Sequence, residues 1–413
     1  MTKVGQTLMK TKFPNHLIGC FDIGKSKQYA YAEAPNGKYL KVFNFNNDLA
    51  GFQDCYNRLE SFRKEENLEG ILMGAESTGS YGEPLSAWLQ TKGIKMVGVN
   101  SKHVRRYKEV IDNSPLKSDK KDPVVGTRIV QQGAYYDPIP SKGLAGELRE
   151  QTKHRKSLKI KINRVTNQLE SQIVRVFPEF INVMKSITLQ TSLNLLAESP
   201  LPADIIALGE KKLTKRIEKL SRKQLGKERA KELLKAAKES IGITECSISI
   251  SLIIKDLIDE YKFLDIKLKK IELEIKTLLV ESSEAQIIMS HPNIGAITAA
   301  EIIGETGGLN NYSNPEKLMK LSGLNLFELS SGIHKGQRRI TKRGRSDLRQ
   351  TLYLAGLRMC RKGSPYRAQY ERYIKTMKKP QAVVAIAKKL LRVLHALVKK
   401  NEVYNASFAV TKK

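Results

Sequence analysis

Four acidic residues stand where acids are poor choices for packing. Asp22 follows the apolar run Leu17-Ile18-Gly19-Cys20-Phe21, and Glu76 ends the run Gly70-Ile71-Leu72-Met73-Gly74-Ala75. Asp119 and Asp122 lie three apart in Lys117-Ser118-Asp119-Lys120-Lys121-Asp122. A buried carboxylate is costly unless it is paired or bound to a cation, so Asp22 at a strand end points to a metal. Two aspartates three apart can face one way on a helix and share metal ions. Two magnesium ions roughly 4 Å apart would clamp the attacking and leaving oxygens of a phosphodiester. Each acid also has an ordinary reading: a turn after a strand, a solvated strand end, a helix cap, a charged loop. Glu83, the rival to Glu76, directly precedes Pro84 and suits a helix start. Pro123 biases Asp122 away from helical geometry, so Asp122 reads as an N-cap and Pro123 as the first residue of a helix over 123–133.

The elements that must position these acids alternate from 17 to about 140. After the first strand come Gln28-Tyr29-Ala30-Tyr31-Ala32 and Tyr39-Leu40-Lys41-Val42-Phe43, separated by the turn signal Pro35-Asn36-Gly37, which predicts a three-stranded meander. A helix over 52–64 has Phe52, Cys55, Leu59 and Phe62 at helical spacing. A fourth strand then leads to Glu76, followed by a helix over 84–92 with Pro near its first turn and a fifth strand over 94–99. Three strands, helix, strand, helix, strand is the order of the ribonuclease H architecture. There, a carboxylate ending the fourth strand stands next to one ending the first.

The 413 residues suffice for two or three domains. A net charge of +30 repels itself and calls for a polyanionic partner, nucleic acid ahead of an anionic membrane surface. No apolar stretch near eighteen residues free of charge is present, and residues 1–16 read as a loose basic tail with no signal-peptide core. Cys20, Cys55, Cys246 and Cys360 are scattered, which suggests neither a disulfide framework nor a zinc site. An intracellular protein is expected.

The middle, 145–285, is long, charged and helical. Leu158, Ile162, Val165, Leu169, Ile173 and Val176 repeat at threes and fours. So do Ile250, Ile254, Leu257, Tyr261, Leu264, Leu268, Ile271, Ile275 and Leu278. Such seams predict a coiled coil or a long helical hairpin. Ser199-Pro200-Leu201-Pro202 breaks the helix between them, and 211–238 reads as a basic helical insert. From 286 to 405 the chain is mostly α-helical. His291-Pro292-Asn293-Ile294-Gly295 resembles half of a helix-hairpin-helix element, whose backbone N–H groups can hold a phosphate. Lys335, Arg338, Arg339, Lys342, Arg343 and Arg345 crowd into a loop-like segment that would neutralise phosphates. A last helix over 381–400 puts Val384, Ala387, Leu391, Leu394 and Val398 on one face.

In these motifs the chain resembles the DEDD-type transposases of the bacterial insertion-sequence-110 family. The matching stretches are Gly19-Cys20-Phe21-Asp22-Ile23-Gly24-Lys25, Glu76-Ser77-Thr78-Gly79-Ser80-Tyr81 with Glu83-Pro84, and Lys117 to Asp122. His291 to Gly295, Leu321-Ser322-Gly323-Leu324 and Ser331-Gly332 match as well. The resemblance implies a RuvC-like domain over 17–140, a coiled-coil dimerisation region over 145–285 and a C-terminal transposase domain over 286–405. It carries over four Mg²⁺-binding acids, here Asp22, Glu76, Asp119 and Asp122, and a nucleophilic serine, here Ser331, with Ser330 as its rival. Pro123 stands where the family usually has a small residue, and the stretch after Ser331-Gly332 is short. The expected activity is DNA transposition guided by an element-encoded structured RNA, in a bacterial cytoplasm and close to the nucleoid. Donor and target DNA would be handled by a homodimer or homotetramer. The competing expectations are a RuvC-like junction endonuclease in which water attacks, and a non-enzymatic nucleic-acid scaffold.

Overall fold

The computed structural model describes residues 13–76, 79–111, 121–136, 142–328 and 338–405. The chain divides into two units, Met1–Ile139 and Pro140–Lys413.

The first unit is built on one five-stranded sheet. β1 (His16–Asp22), β2 (Lys27–Glu33) and β3 (Tyr39–Asn46) form the antiparallel meander; α1 (Leu49–Glu65) then leads to β4 (Gly70–Glu76). α2 (Glu83–Thr91) connects to β5 (Lys95–Val99), and α3 (Ser101–Ile111) and α4 (Asp122–Gln131) complete the unit. The strand order is β3-β2-β1-β4-β5, with β4 parallel to both β1 and β5. Strand side chains alternate between faces, and the sequence uses both. Leu17, Phe21, Ile71 and Met73 pack against Phe52, Cys55, Leu59, Leu85 and Leu89 of α1 and α2. Ile18, Cys20, Leu72, Val97 and Val99 pack against Val104 of α3 and Val125, Ile129 and Val130 of α4. α1 starts because the Asp48 carboxylate accepts from the Gly51 amide at 2.7 Å, a side-chain N-cap.

One boundary differs from the sequence expectation. Lys121, not Asp122, caps α4; Asp122 is the first helical residue and Pro123 follows it in the first turn. A proline there removes an N–H that has no intrahelical acceptor anyway, so the helix extends back to include the aspartate.

Among the described residues, the second unit is helical apart from one short antiparallel strand pair. α5 (Gly143–Val176) leads through α6 (Glu179–Met184), α7 (Gln190–Glu198), α8 (Pro202–Leu220) and α9 (Lys227–Lys238) to α10 (Ser247–Leu279). The expected break falls between α7 and α8, and the basic insert divides between α8 and α9. α5 and α10 pack antiparallel. Leu158, Ile162 and Val165 share a core with Leu264, Leu268, Ile271 and Ile275. Leu169, Ile173 and Val176 share another with Ile250, Ile254 and Ile258. The two apolar seams thus face each other within one chain, each fully buried Leu or Ile contributing about 1.5–3 kcal/mol. α6 to α9 cover the second core.

The first core continues into the rest of the chain. α11 (Ser283–Ser290), α12 (Ala296–Thr306) and α13 (Pro315–Ser322) are followed by the hairpin of β6 (Leu326–Phe327) and β7 (Arg339–Ile340). α14 (Ser346–Met359), α15 (Arg367–Ile374) and α16 (Lys379–Lys400) close the unit. Leu148 and Ile275 therefore lie in one cluster with Ile303, Leu352, Leu391 and Leu394.

Candidate functional site

The carboxylates of the first unit are brought together by register and by alternation. β1 and β4 pair in parallel up to Phe21 opposite Ala75, so Asp22 and Glu76 are the next residues on neighbouring strands about 4.8 Å apart. Cys20 and Leu72 face α4, and two residues on from Cys20 and four on from Leu72, the same face carries Asp22 and Glu76. α4 delivers the third acid. Gly126 lies against the Cys20 side chain, which brings the first turn of α4, with Asp122, towards the ends of these strands. Burial pushes the Cys20 thiol up from its ordinary pKa, and the charges of Asp22, Glu76 and Asp122 push it further. All three carboxylates therefore act on one buried sulfur.

The Lys108 ammonium of α3 forms an ion pair with Asp122 Oδ1. That oxygen is buried and has no hydrogen-bond partner. Lys108 thus supplies the positive charge at this oxygen; carboxylate donors, where they gather, suit a hard cation. Asp119, the fourth expected ligand, lies outside the described residues. Among the described residues, no group of three or more Asp, Glu, His or Cys side chains is close enough to hold a metal ion.

Three further contacts hold this arrangement, and the sequence reading did not single them out. Glu33 on β2 accepts from Arg128 Nη1 of α4 at 2.7 Å and from the Tyr31 hydroxyl at 2.9 Å. This clamps α4 to the sheet. Burial and the Glu33 hydrogen bond push Tyr31 up to about 12. On the opposite face, the fully buried Gln28 donates to Asn47 Oδ1 at 2.7 Å. Asn47 Nδ2 then donates to the Lys25 carbonyl at 3.2 Å and the Tyr81 carbonyl at 3.3 Å. Asn47 thus ties the loop after Asp22 to the loop after Glu76. A glutamine among strand apolars, an arginine in an apolar helix and a glycine inside it were the available signals. Gly126 in particular costs helix propensity of about 1 kcal/mol, which close packing explains.

In the second unit the expected basic segment sits at the base of the β6–β7 hairpin. The Arg345 amide donates to the Leu321 carbonyl at 2.7 Å, and the Lys342 amide to the Gly323 carbonyl at 3.0 Å. Lys342 has a left-handed φ of 53°, and a Cβ at Gly344 would run into the backbone of Leu321 and Gly323. Arg338, Arg339, Lys342 and Arg343 are exposed. Arg338 Nε donates to Glu328 at 2.9 Å, whereas Arg345 is half-buried, donating to the Glu305 carbonyl at 2.6 Å and pairing with its carboxylate at 3.6 Å. Ser330, Ser331 and Lys335, between the two strands in sequence, lie outside the described residues. His291 to Gly295 form the turn between α11 and α12, with the Ile294 amide donating to the His291 carbonyl at 3.1 Å. No helix among the described residues is long and apolar enough to cross a membrane.

Comparison with known proteins covers both regions. Residues 20–178, which contain all four acids, match a DEDD-type insertion-sequence-110 family described as "Transposase". Residues 285–371, which contain the hairpin and basic segment, match the "Transposase IS116/IS110/IS902 family". The "Insertion element IS116 uncharacterized 44.8 kDa protein" of Streptomyces clavuligerus is 24% identical over 407 residues, 98% of this chain and 99% of its own length. The "Insertion element IS900 uncharacterized 42 kDa protein" of Mycobacterium paratuberculosis is 28% identical over 174 residues, 42% of this chain and 44% of its own length.

Proposed function

Because the chain belongs to the insertion-sequence-110 family of transposases, with an N-terminal DEDD domain, we propose that it exchanges DNA strands through Ser331 at a Mg²⁺ site of Asp22, Glu76, Asp119 and Asp122. A transposase acts on DNA, and a DEDD domain points to divalent metal use. The observation that carries it is the alignment of Asp22 and Glu76 on one face of two parallel strands, with Asp122 brought alongside by α4.

A serine hydroxyl is a weak nucleophile at neutral pH and needs activation. In the proposed step its Oγ forms a bond to phosphorus and gives up its proton. The bond from phosphorus to the leaving strand breaks, and that strand departs as a free hydroxyl. The reverse step, with the hydroxyl of another strand attacking, restores the serine. Bound Mg²⁺ would neutralise charge on the scissile phosphate. Arg338, Arg339, Lys342 and Arg343 would hold the strand by its phosphates, and Lys335 would add to them; Arg345 would fasten the segment to α12. The positive charge of the chain supports a second polyanion, and we assign it to an element-encoded structured RNA that guides site choice. Residues 145–285 would build the dimer or tetramer.

The test pairs two variants with a labelled DNA substrate. Ser331→Ala is expected to abolish the protein–DNA covalent species, and Asp22→Asn to abolish cleavage with DNA binding retained. Continued cutting by Ser331→Ala would mean that water attacks, as in a junction endonuclease. Unchanged recombination and Mg²⁺ dependence in Asp22→Asn would reduce the acids to loop caps.

A further inference from the structure

We infer that α3 is the surface that carries the phosphates of the DNA strand past the acidic site. This deepens the reading of that site and rests on it. β1, β4 and β5 are parallel, so all three end at the same edge of the sheet, the first two at Asp22 and Glu76. α3 begins at Ser101, two residues after β5 ends, and therefore rises from that edge. One side of it is anchored: Val104 is buried in the sheet core, the Tyr107 hydroxyl accepts from Gln132 Nε2 at 2.6 Å, and Lys108 pairs with Asp122. The other side carries Lys102, Arg105 and Arg106 at i, i+3 and i+4, all exposed. Side chains so spaced are neighbours on one helix surface.

Their pairing sets them apart. Of the five arginines in the first unit, Arg58 pairs with Asp54, Arg63 with Glu60 and Arg128 with Glu33. Arg105 and Arg106, adjacent on α3, form no ion pair among the described residues. Lys102, Arg105 and Arg106 crowd three cations onto one exposed helix surface, where they repel one another, and a polyanion relieves this. The position beside three carboxylates matters too, because those acids repel phosphate and a strand reaching them needs a cationic guide.

The full-length protein is titrated with a fluorescein-labelled duplex of arbitrary sequence, a single-stranded oligonucleotide and a structured RNA, over a range of salt. Each phosphate contact contributes about 0.9 to the slope of log affinity against log salt for duplex and about 0.7 for a single strand. Arg105→Ala/Arg106→Ala is expected to make the DNA slope shallower by roughly one and a half to two. Arg58→Ala, paired on the opposite face, leaves it unchanged. A photo-crosslinking residue at the exposed His103 is expected to capture DNA, which keeps the proposal testable should the double variant misfold. An unchanged slope, or no DNA captured at position 103, overturns the assignment. A slope lost only for RNA overturns it in favour of RNA. Cleavage surviving in Asp22→Asn removes the acid-site reading instead, a separate outcome from any change in slope.

Discussion

Gly126 of α4 rests on the side chain of Cys20 of β1. A Cβ added at 126 would come within 2.9 Å of Cys20 Cβ and closer still to its sulfur. Helix propensity favours alanine at this position by about 1 kcal/mol, but overpacking against a strand costs about 1–3 kcal/mol. The collision wins, because the Cβ it meets is fixed to the backbone. Gly126→Ala is expected to lower the urea midpoint, and Cys20→Ala in the same background, which removes the sulfur but keeps the Cβ, to restore part of it. Strict additivity of the two changes would sink the argument.

Glu33 is only 8% exposed and depends on Arg128 and Tyr31. Arg128→Met leaves the carboxylate with one donor, and a lost charged hydrogen bond costs about 1.5–3 kcal/mol. The Arg128 side chain is 44% exposed, so screening places the effect towards the low end. Thermal unfolding checks the stability. Cleavage is expected to fall as well, because the same pair sets where the first turn of α4 meets the strands.

Asn47→Asp keeps the oxygen that receives Gln28 and removes the nitrogen that donates to Lys25 and Tyr81. The loops after Asp22 and Glu76 then lose their tie. Loss of such outer contacts typically weakens metal affinity by about 10–100-fold. We expect weaker Mg²⁺ binding by calorimetric titration and faster amide exchange at 23–26 and 79–82, with exchange in the sheet core unchanged. Equal acceleration throughout the unit would show a general loss of stability instead.

His291 is 1% exposed. Its Nδ1 lies 2.8 Å from the Pro292 carbonyl and its Nε2 3.1 Å from the Tyr366 hydroxyl. A carbonyl only accepts, so in the neutral ring Nδ1 donates and Nε2 accepts from Tyr366. Burial lowers its pKa from 6.5. As pH falls through 6.5 the unfolded chain takes up a proton that the folded chain refuses, so stability falls below that pH and levels off once the folded-state pKa is passed. His291→Gln is expected to flatten this part of a urea-midpoint profile; an identical profile would rule His291 out.

Ile266 and Leu273 of α10 and Val280, which caps it, repeat every seven residues and are 66%, 65% and 66% exposed. They lie outside the seam buried against α5. Ile266→Glu/Leu273→Glu is expected to preserve the helical circular dichroism and to reduce the mass measured by light scattering towards the monomer. A wild-type protein already monomeric at working concentration would end this proposal.

The sheet was legible because strands with two buried faces and marked turns leave few alternatives. Leu17 to Phe21, the Pro35-Asn36-Gly37 turn and Gly70 to Ala75 all gave elements where expected. The helical repeats were equally plain, since burying Leu158 to Val176 and Ile250 to Leu278 requires faces at that spacing. What they pack against was not local information. Periodicity states that a face is apolar, and only the folded chain shows that these two meet each other, leaving Ile266 and Leu273 exposed.

The same division holds at the site. Strand ends and alternation were enough to nominate Asp22 and Glu76, because parallel neighbours in register must place equivalent positions side by side. Asp122 could be nominated by type and spacing, but its approach depends on Gly126 fitting over Cys20, a contact across 106 residues of sequence. Lys108 and Asn47 carry no local signature, for a hydrogen bond between distant residues leaves no period in the chain. Sequence determined which segments become helix or strand and which acids end strands, since those follow from neighbouring residues. Tertiary structure decided which acids meet and what holds them, since that follows from packing between segments far apart in the chain.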